Sequence, residues 1–260
     1  CPPGTRWLCG LAPCRPCGLP RTGMARPSAR PIAVAKRACR RSFGRQGMRS
    51  MPDQVTDVRL LDDGYSREVR SLFYHAYRHE PTFAYLMDAQ RAGYDQRVRA
   101  CVREMVERHL GEELPAIGLF IDDRLVAAAL ITPPQRRLDI TESWSWRLRM
   151  LFSVGLAATR RYLDYHRAVQ ACLPVGPHHQ LPMLGVHPEY QGRQIGEQLL
   201  AAVQRWCAED SASQGLVLDT GNARYLDFYQ RHGYREIGEV TLGAVREHVL
   251  LHPGETPAAT

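Results

Sequence analysis

Residues 184–200 read LGVHPEYQGRQIGEQLL. A strand ends at His187-Pro188, a loop with two glycines follows, and a helix begins near Ile195. Within that helix Ile195, Leu199, Leu200, Val203, Trp206 and Cys207 recur at helical spacing, so one face is buried. Successive backbone N–H groups in a turn that opens a helix form an anion cradle, and the helix dipole favours negative charge there. Gly192 and Gly196 lack a Cβ, so a phosphate can approach the backbone, and Arg193 adds a cation. The stretch therefore predicts a diphosphate site. It lacks the first glycine of GxGxxG, and the chain has no P-loop Gly-Lys-Ser/Thr, which excludes a Rossmann dinucleotide site and an NTPase.

Working outward, the pattern before this turn begins at Val55. VTDVRLL (55–61) alternates like a strand, a helix is expected over 67–81 and stopped by Pro81, and a second helix over about 92–110 is closed by Gly111. PAIGLFID (115–122) and RLVAAALIT (124–132) read as a hairpin joined at Asp122-Asp123. A long helical region, 143–171, follows with Trp144, Trp146 and Phe152 as anchors, and then the strand HHQLPMLGVH (178–187). Beyond the turn, QGLVLDT (214–220) is a strand, NARYLDFYQRHG (222–233) a helix ended by Gly233, and two more strands close the pattern. Strands alternating with helices imply an α/β layered domain with a mixed sheet.

The 260 residues carry a formal charge of +7, and its distribution is uneven. Residues 1–50 hold 11 basic side chains and no acid, while the body has 23 basic and 27 acidic residues, a balance of −4. Arginine supplies 33 of the 34 basic residues, so the arginine-rich start reflects composition and nucleic acid is not expected as a partner. Residues 1–50 are expected to be a disordered basic tail, an upstream segment or a targeting peptide; a salt-sensitive nucleic-acid arm is the competing reading. Cys14 and Cys17 have half a zinc-knuckle spacing without a second pair. The body keeps only Cys101, Cys172 and Cys207, which points to a reducing, cytoplasmic setting. No apolar run approaches the roughly 18 residues of a membrane span.

Two segments together carry a family resemblance. Gln191-Gly192-Arg193-Gln194-Ile195-Gly196, after a strand ending in Val-x-Pro, resembles motif A of the GNAT (Gcn5-related) N-acetyltransferases, except that Gln194 stands where the family usually has glycine. LDTGNARYLDFYQRHGYREI (217–236) resembles motif B, with Asn222 and Tyr229 seven apart on one expected helix. The helical insert at about 141–176 and the run before motif A look loosely like the puromycin N-acetyltransferase-like branch. The resemblance implies an α+β GNAT fold over 51–252, with a central mixed, mostly antiparallel sheet split at the cofactor site and flanked by helices. Residues 253–260 are expected to be disordered.

It further implies acetyl transfer from acetyl-CoA to a primary amine of a small molecule or peptide by direct attack in a ternary complex, without a metal or a membrane; a homodimer is compatible with it. A bulged strand at Leu184, Gly185 and Val186 would offer amides to the thioester carbonyl, and such donors contribute about 3 kcal/mol each in acyl transfer. Gln191, Gly192, Arg193, Gln194, Ile195 and Gly196 would hold the diphosphate. Asn222 would reach the pantetheine or cap its helix, Tyr229 would contact the cofactor and be the general acid, and Tyr225, flanking Tyr229, would join the cofactor contacts. For the base, Asp219, Glu142, His178 and His179 stand open beside a water chain. His75 and His79, four apart on a helix, lack a third metal ligand. The acids Glu80, Asp88, Asp139 and Glu142 in expected lid segments suit a cationic acceptor. The alternative is a degenerate CoA-binding protein with a sensing role, motivated by Gln194.

Overall fold

The computed structural model describes residues 56–136 and 144–254. Expectations for residues 1–55, Asp139, Glu142 and 255–260 lie outside the described residues. Seven strands form one sheet: β1 (Thr56–Leu60), β2 (Ala116–Ile121), β3 (Arg124–Thr132), β4 (His179–Val186), β5 (Gly215–Thr220), β6 (Arg235–Leu242) and β7 (Val245–Pro253). Their order is β1-β2-β3-β4-β5-β7-β6, and every neighbouring pair is antiparallel except β4–β5.

Helices cover both faces of the sheet, which explains why β2 is buried along its whole length. Its alternate residues point opposite ways. Ala116 and Phe120 join the core made by α1 (Ser66–Tyr77), α3 (Tyr94–Gly111), α4 (Trp144–Val154) and α5 (Leu156–Ala171). Ile117, Leu119 and Ile121 join the core beneath α6 (Ile195–Ala208). Burying each such side chain contributes about 1.5–3 kcal/mol. The β2–β3 hairpin turns at Asp122 and Asp123, both with positive φ (50° and 60°), the backbone that a two-residue primed turn requires.

Three local expectations change. Pro81 does not merely stop a helix; α1 ends at Tyr77, and Pro81 opens α2 (Pro81–Leu86), where a missing N–H costs nothing. The helical region is broken at Gly155, whose φ of 87° suits glycine, so α4 and α5 are separate helices. The expected helix over 222–233 is a 3₁₀ turn at Ala223–Tyr225 followed by the short α7 (Leu226–Arg231). Asn222 caps that turn, its side chain accepting from the Arg224 N–H at 3.2 Å, and so does not share a helix with Tyr229.

The sheet positions the site by coming apart. β4 and β5 pair only at His179↔Leu216 and Gln180↔Val217, and their later residues form no pairs with each other. The irregularity in β4 also lies elsewhere than expected. Leu184, Gly185 and Val186 pair in register with Ala129, Ala128 and Ala127, whereas the register shifts between Leu130 and Thr132, opposite Leu181 and Pro182. Proline has no N–H for the ladder and is accommodated at such a shift.

The helices on one face are fastened by charge. Buried Glu104 on α3 accepts from Arg103 at 3.0 Å and from Ser153 of α4 at 3.1 Å, with Arg149 of α4 3.2 Å away. Arg161 of α5 donates to the Tyr85 carbonyl at 3.1 Å and reaches Asp88 at 3.3 Å, tying α5 to the end of α2. Among the described residues no helix is long and apolar enough to cross a membrane.

Candidate active site

A cavity of about 600 Å³ occupies the gap between β4 and β5. The turn before α6 lines one end, through Gln191, Gly192 and Gln194 to Glu197. Asp219, Glu247, Tyr165 and Thr82 line the other, with Tyr229 among the wall residues and Phe83, Leu86 and Val169 supplying apolar surface.

At the first end, the earliest helical hydrogen bond runs from the Gln198 N–H to the Gln194 carbonyl, so the N–H groups of Ile195, Gly196 and Glu197 have no partner inside α6. Gly192 has φ of 74° and no protein atom within 4 Å of where a Cβ would stand. At Gly196 a Cβ would meet only Val186, at an ordinary 3.6 Å. Free N–H groups and uncrowded glycines on the cavity wall fit a diphosphate. Gln194 adopts the left-handed backbone (φ 62°, ψ 10°), so the side chain that departs from glycine leaves the loop on a glycine-compatible path. The Gln191 side-chain amide donates to the Val186 carbonyl at 3.1 Å, pinning the loop to β4. Arg193 instead lies over the Tyr190 ring, 5.4 Å from its centroid, and is not among the lining residues.

In the middle, α1 meets β4. Gly185 admits this approach: a Cβ there would come within 3.0 Å of Ala76. The Tyr77 hydroxyl then donates to the Leu184 carbonyl and accepts from the Leu184 N–H, both at 2.9 Å. The amide expected to face a thioester is therefore already bonded to a phenol.

At the far end the charge is acidic. Asp219 accepts from the Tyr165 hydroxyl at 2.5 Å, and Glu247 from the Thr82 hydroxyl at 2.6 Å. The two carboxyls line the same wall of the cavity and act on each other electrostatically, and two like charges so placed favour keeping a proton on the pair. Burial, reinforced by the Asp219 charge, pushes the Glu247 carboxyl up to about 9. Burial raises Asp219 too, opposed by its bonds from Tyr165 and Glu247. Glu80, just before α2, is raised by burial and opposed by donors: the Asn222 side-chain amide at 3.0 Å and the Tyr225 hydroxyl at 3.5 Å. Burial and then its neighbours Tyr225 and Asp219 drive the Tyr229 phenol upward, so it carries its proton at neutral pH. No arginine is among the lining residues that are described.

Leu184, Gly185, Val186, Gln191, Gly192, Gln194, Ile195, Gly196, Asp219, Tyr225 and Tyr229 thus come together on one cavity. Arg193 and Asn222 do not line it; Asn222 serves instead as a cap and as a donor to Glu80. Neither His178 nor His179 lines it. His179 is buried, with Nδ1 2.8 Å from Ser213 Oγ, and His178 Nδ1 lies 2.9 Å from the Gly176 carbonyl. His75 packs near His187, ring centroids 5.5 Å apart. Among the described residues the only group of three within metal-binding reach is Glu236, Glu239 and His248, which are not among the lining residues.

Glu247, Tyr165 and Tyr77 were missed. Glu247 had a signal: it falls in phase with Val249 and Leu251 along β7, an acid on the apolar side of the alternation. Tyr165 stands three residues after buried Tyr162 and four before buried Val169. Tyr77 had none beyond its place on the first helix.

Residues 154–236 match the family described as the acetyltransferase (GNAT) domain. Among solved structures, one described as histone acetyltransferase HPA2 and related acetyltransferase, from Corynebacterium glutamicum, aligns with a TM-score of 0.59 at 17% identity, covering 78% of this chain and 99% of that one. Arylalkylamine N-acetyltransferase 2 from Aedes aegypti aligns with a TM-score of 0.57 at 10% identity, covering 75% of this chain and 97% of that one. At such identities the likeness is one of fold. No curated protein sequence matches the chain.

Proposed function

We propose, for a chain that is a member of the GNAT superfamily, transfer of the acetyl group of acetyl-CoA to a primary amine of a small molecule or peptide. The observation that carries this reading is the single cavity joining an anion cradle at the head of α6 to an acidic, apolar-walled chamber beside Tyr229. Acetyl-CoA would supply an activated acyl group as its thioester. The N–H groups of Ile195, Gly196 and Glu197, with Gly192 leaving room, would hold its diphosphate, and the open edge of β4 would guide the arm between the strands. Tyr229, holding its proton through neutral pH, stands ready to give it to the leaving sulfur. Asp219, Glu247 and Glu80 make the acceptor chamber attractive to a cation. Three cysteines, all free among the described residues, accord with a cytoplasmic setting.

The regulatory alternative rested on Gln194. Its glycine-compatible backbone favours the enzyme reading, since the loop path is kept. Calorimetric titration with acetyl-CoA, NAD and ATP tests the cradle, and thiol release across a panel of amines tests transfer. Selective acetyl-CoA binding with amine-dependent thiol release is the expected result. Binding without release for any amine would return the sensing role, and no binding would remove both.

A further inference from the structure

The carboxyls of half-buried Asp219 and buried Glu247 are a feature of the chamber that acetyl-CoA binding does not call for. We propose that they act as a single proton-sharing pair that takes the proton from the acceptor's ammonium group, with Tyr165 and Thr82 as its positioning residues. This rests on the acetyltransferase reading above and adds Glu247, the pairing and the two supports to it.

The geometry is specific. Asp219 sits on β5 beside the gap, where β4 has already diverged. In the register of β5 and β7, Thr220 faces His248 and Asp219 faces Val249, which brings Glu247 past the end of the paired segment and into the same cavity. Tyr165 reaches across from α5 to Asp219, and Thr82 from α2 to Glu247. Glu247 is 1% exposed. Two bare carboxylates cannot be held together at such burial, so one proton must remain on the pair. What remains is one negative charge with an open proton site facing the chamber.

Tyr77 on α1, Tyr162 and Tyr165 on α5, and Tyr229 on α7 all have phenols raised by burial and stay protonated. Glu80 stands before α2 with donors from Asn222 and Tyr225, and His166 of α5 is the one imidazole among the described lining residues. His248, beside Glu247 in sequence, is paired with Glu236 and Glu239. No described arginine or lysine lines the cavity to neutralise the pair.

The proton balance closes. An alkylammonium is more than nine-tenths protonated at pH 7, since its pKa is about 10.4, and cannot attack until it loses a proton. The pair accepts that proton and becomes neutral. The amine nitrogen then bonds to the acetyl carbon, the carbon–sulfur bond breaks, and the sulfur receives the Tyr229 proton. Tyr229 regains a proton from the new amide nitrogen, and the pair returns its proton to solvent as product leaves. Burial makes the pair a better acceptor than a surface carboxylate, because it disfavours the charged form.

Two measurements on the full chain decide it. The first is infrared difference spectroscopy of the chain at pH 7 against Glu247→Gln and Asp219→Asn, reading the carbonyl stretch of a protonated carboxyl. The stretch should be present in the parent and absent from Glu247→Gln; a parent without it overturns the shared proton. The second is the pH profile of kcat and KM by thiol release. Asp219→Asn should lower kcat by about 10²–10⁴ at pH 7, with the deficit shrinking as pH approaches the amine's own pKa. A loss confined to the amine KM, with no recovery at high pH, would make the pair a charge anchor and overturn its proton role. A parent that shows the stretch and binds acetyl-CoA yet releases no thiol with any amine overturns the transfer reading, and the proton role with it.

Discussion

Replacing Gln194 by glycine separates backbone strain from side-chain contact at the head of α6. Gln194 stands at the N-cap with φ 62° and ψ 10°, and its side chain makes no cap hydrogen bond. An L-residue in that left-handed conformation costs about 1 kcal/mol or somewhat more, which glycine avoids. Part of that gain is offset by the greater freedom of glycine in the unfolded chain. A net stabilisation of about 0.5–1 kcal/mol corresponds to a rise in Tm of about 1–4 °C for a domain of this size. Because the loop already follows a glycine-compatible path, acetyl-CoA should bind equally well or more tightly, the removed side chain uncovering the N–H groups of Ile195 and Gly196. Differential scanning calorimetry reads the first effect and isothermal titration the second. A lower Tm would refute the strain argument; a weaker Kd with a raised Tm would show that Gln194 itself contacts the cofactor.

At Gly196, a Cβ meets only an ordinary contact with Val186, so Gly196→Ala should keep its Tm within 1–2 °C, a shift of about 0.5 kcal/mol. Gly196 lines the cavity beside the cradle, and acetyl-CoA affinity should fall about tenfold or more by titration, a loss of about 1.4 kcal/mol. Tyr229→Phe should abolish most turnover while acetyl-CoA binding is kept; unchanged thiol release would take Tyr229 out of the acid role. Burial holds buried His109, whose Nε2 lies 2.9 Å from the Pro115 carbonyl, down at about 4. The unfolded chain therefore binds a proton that the folded one refuses, and about 3 kcal/mol of stability is lost as pH falls from 6.5 to 4. Urea unfolding should show that loss, and His109→Gln should flatten it. Glu247 runs the other way, because its carboxyl is pushed up to about 9. The folded chain keeps a proton that the unfolded one releases, so this contribution weakens as pH rises from about 4.5 to 9. Glu247→Gln should gain stability over the parent across that window even as its chemistry suffers, and a constant Tm difference would deny it.

The two ends of the cavity differ in how far the sequence announced them. The head of α6 was legible because everything that makes it is local: apolar spacing from Ile195 to Cys207, two glycines, and a strand end all fall within a few turns. The hairpin at Asp122-Asp123 and the strands around it were legible for the same reason. The helix over 222–233 looked continuous because its composition is helical throughout, but Asn222 capping a 3₁₀ turn diverts its first residues. Gly155 carried a plain local signal as a helix breaker, and Pro81 a plain local signal as a helix opener as much as a stop.

What the sequence by itself determined is the set of elements and the diphosphate loop, since hydrophobic period and glycine placement act over neighbouring residues. Only the tertiary structure decided that β4 and β5 share two residue pairs and then part, because strand register depends on how whole faces pack. The same packing sets Tyr165, Thr82, Asp219 and Glu247 together although Thr82 and Glu247 are 165 positions apart. It also buries His179 within the β4–β5 pairing, off the cavity wall. Local propensity cannot encode such a meeting. Burial at the seam between two strands creates the chemistry there, and burial belongs to the assembled fold.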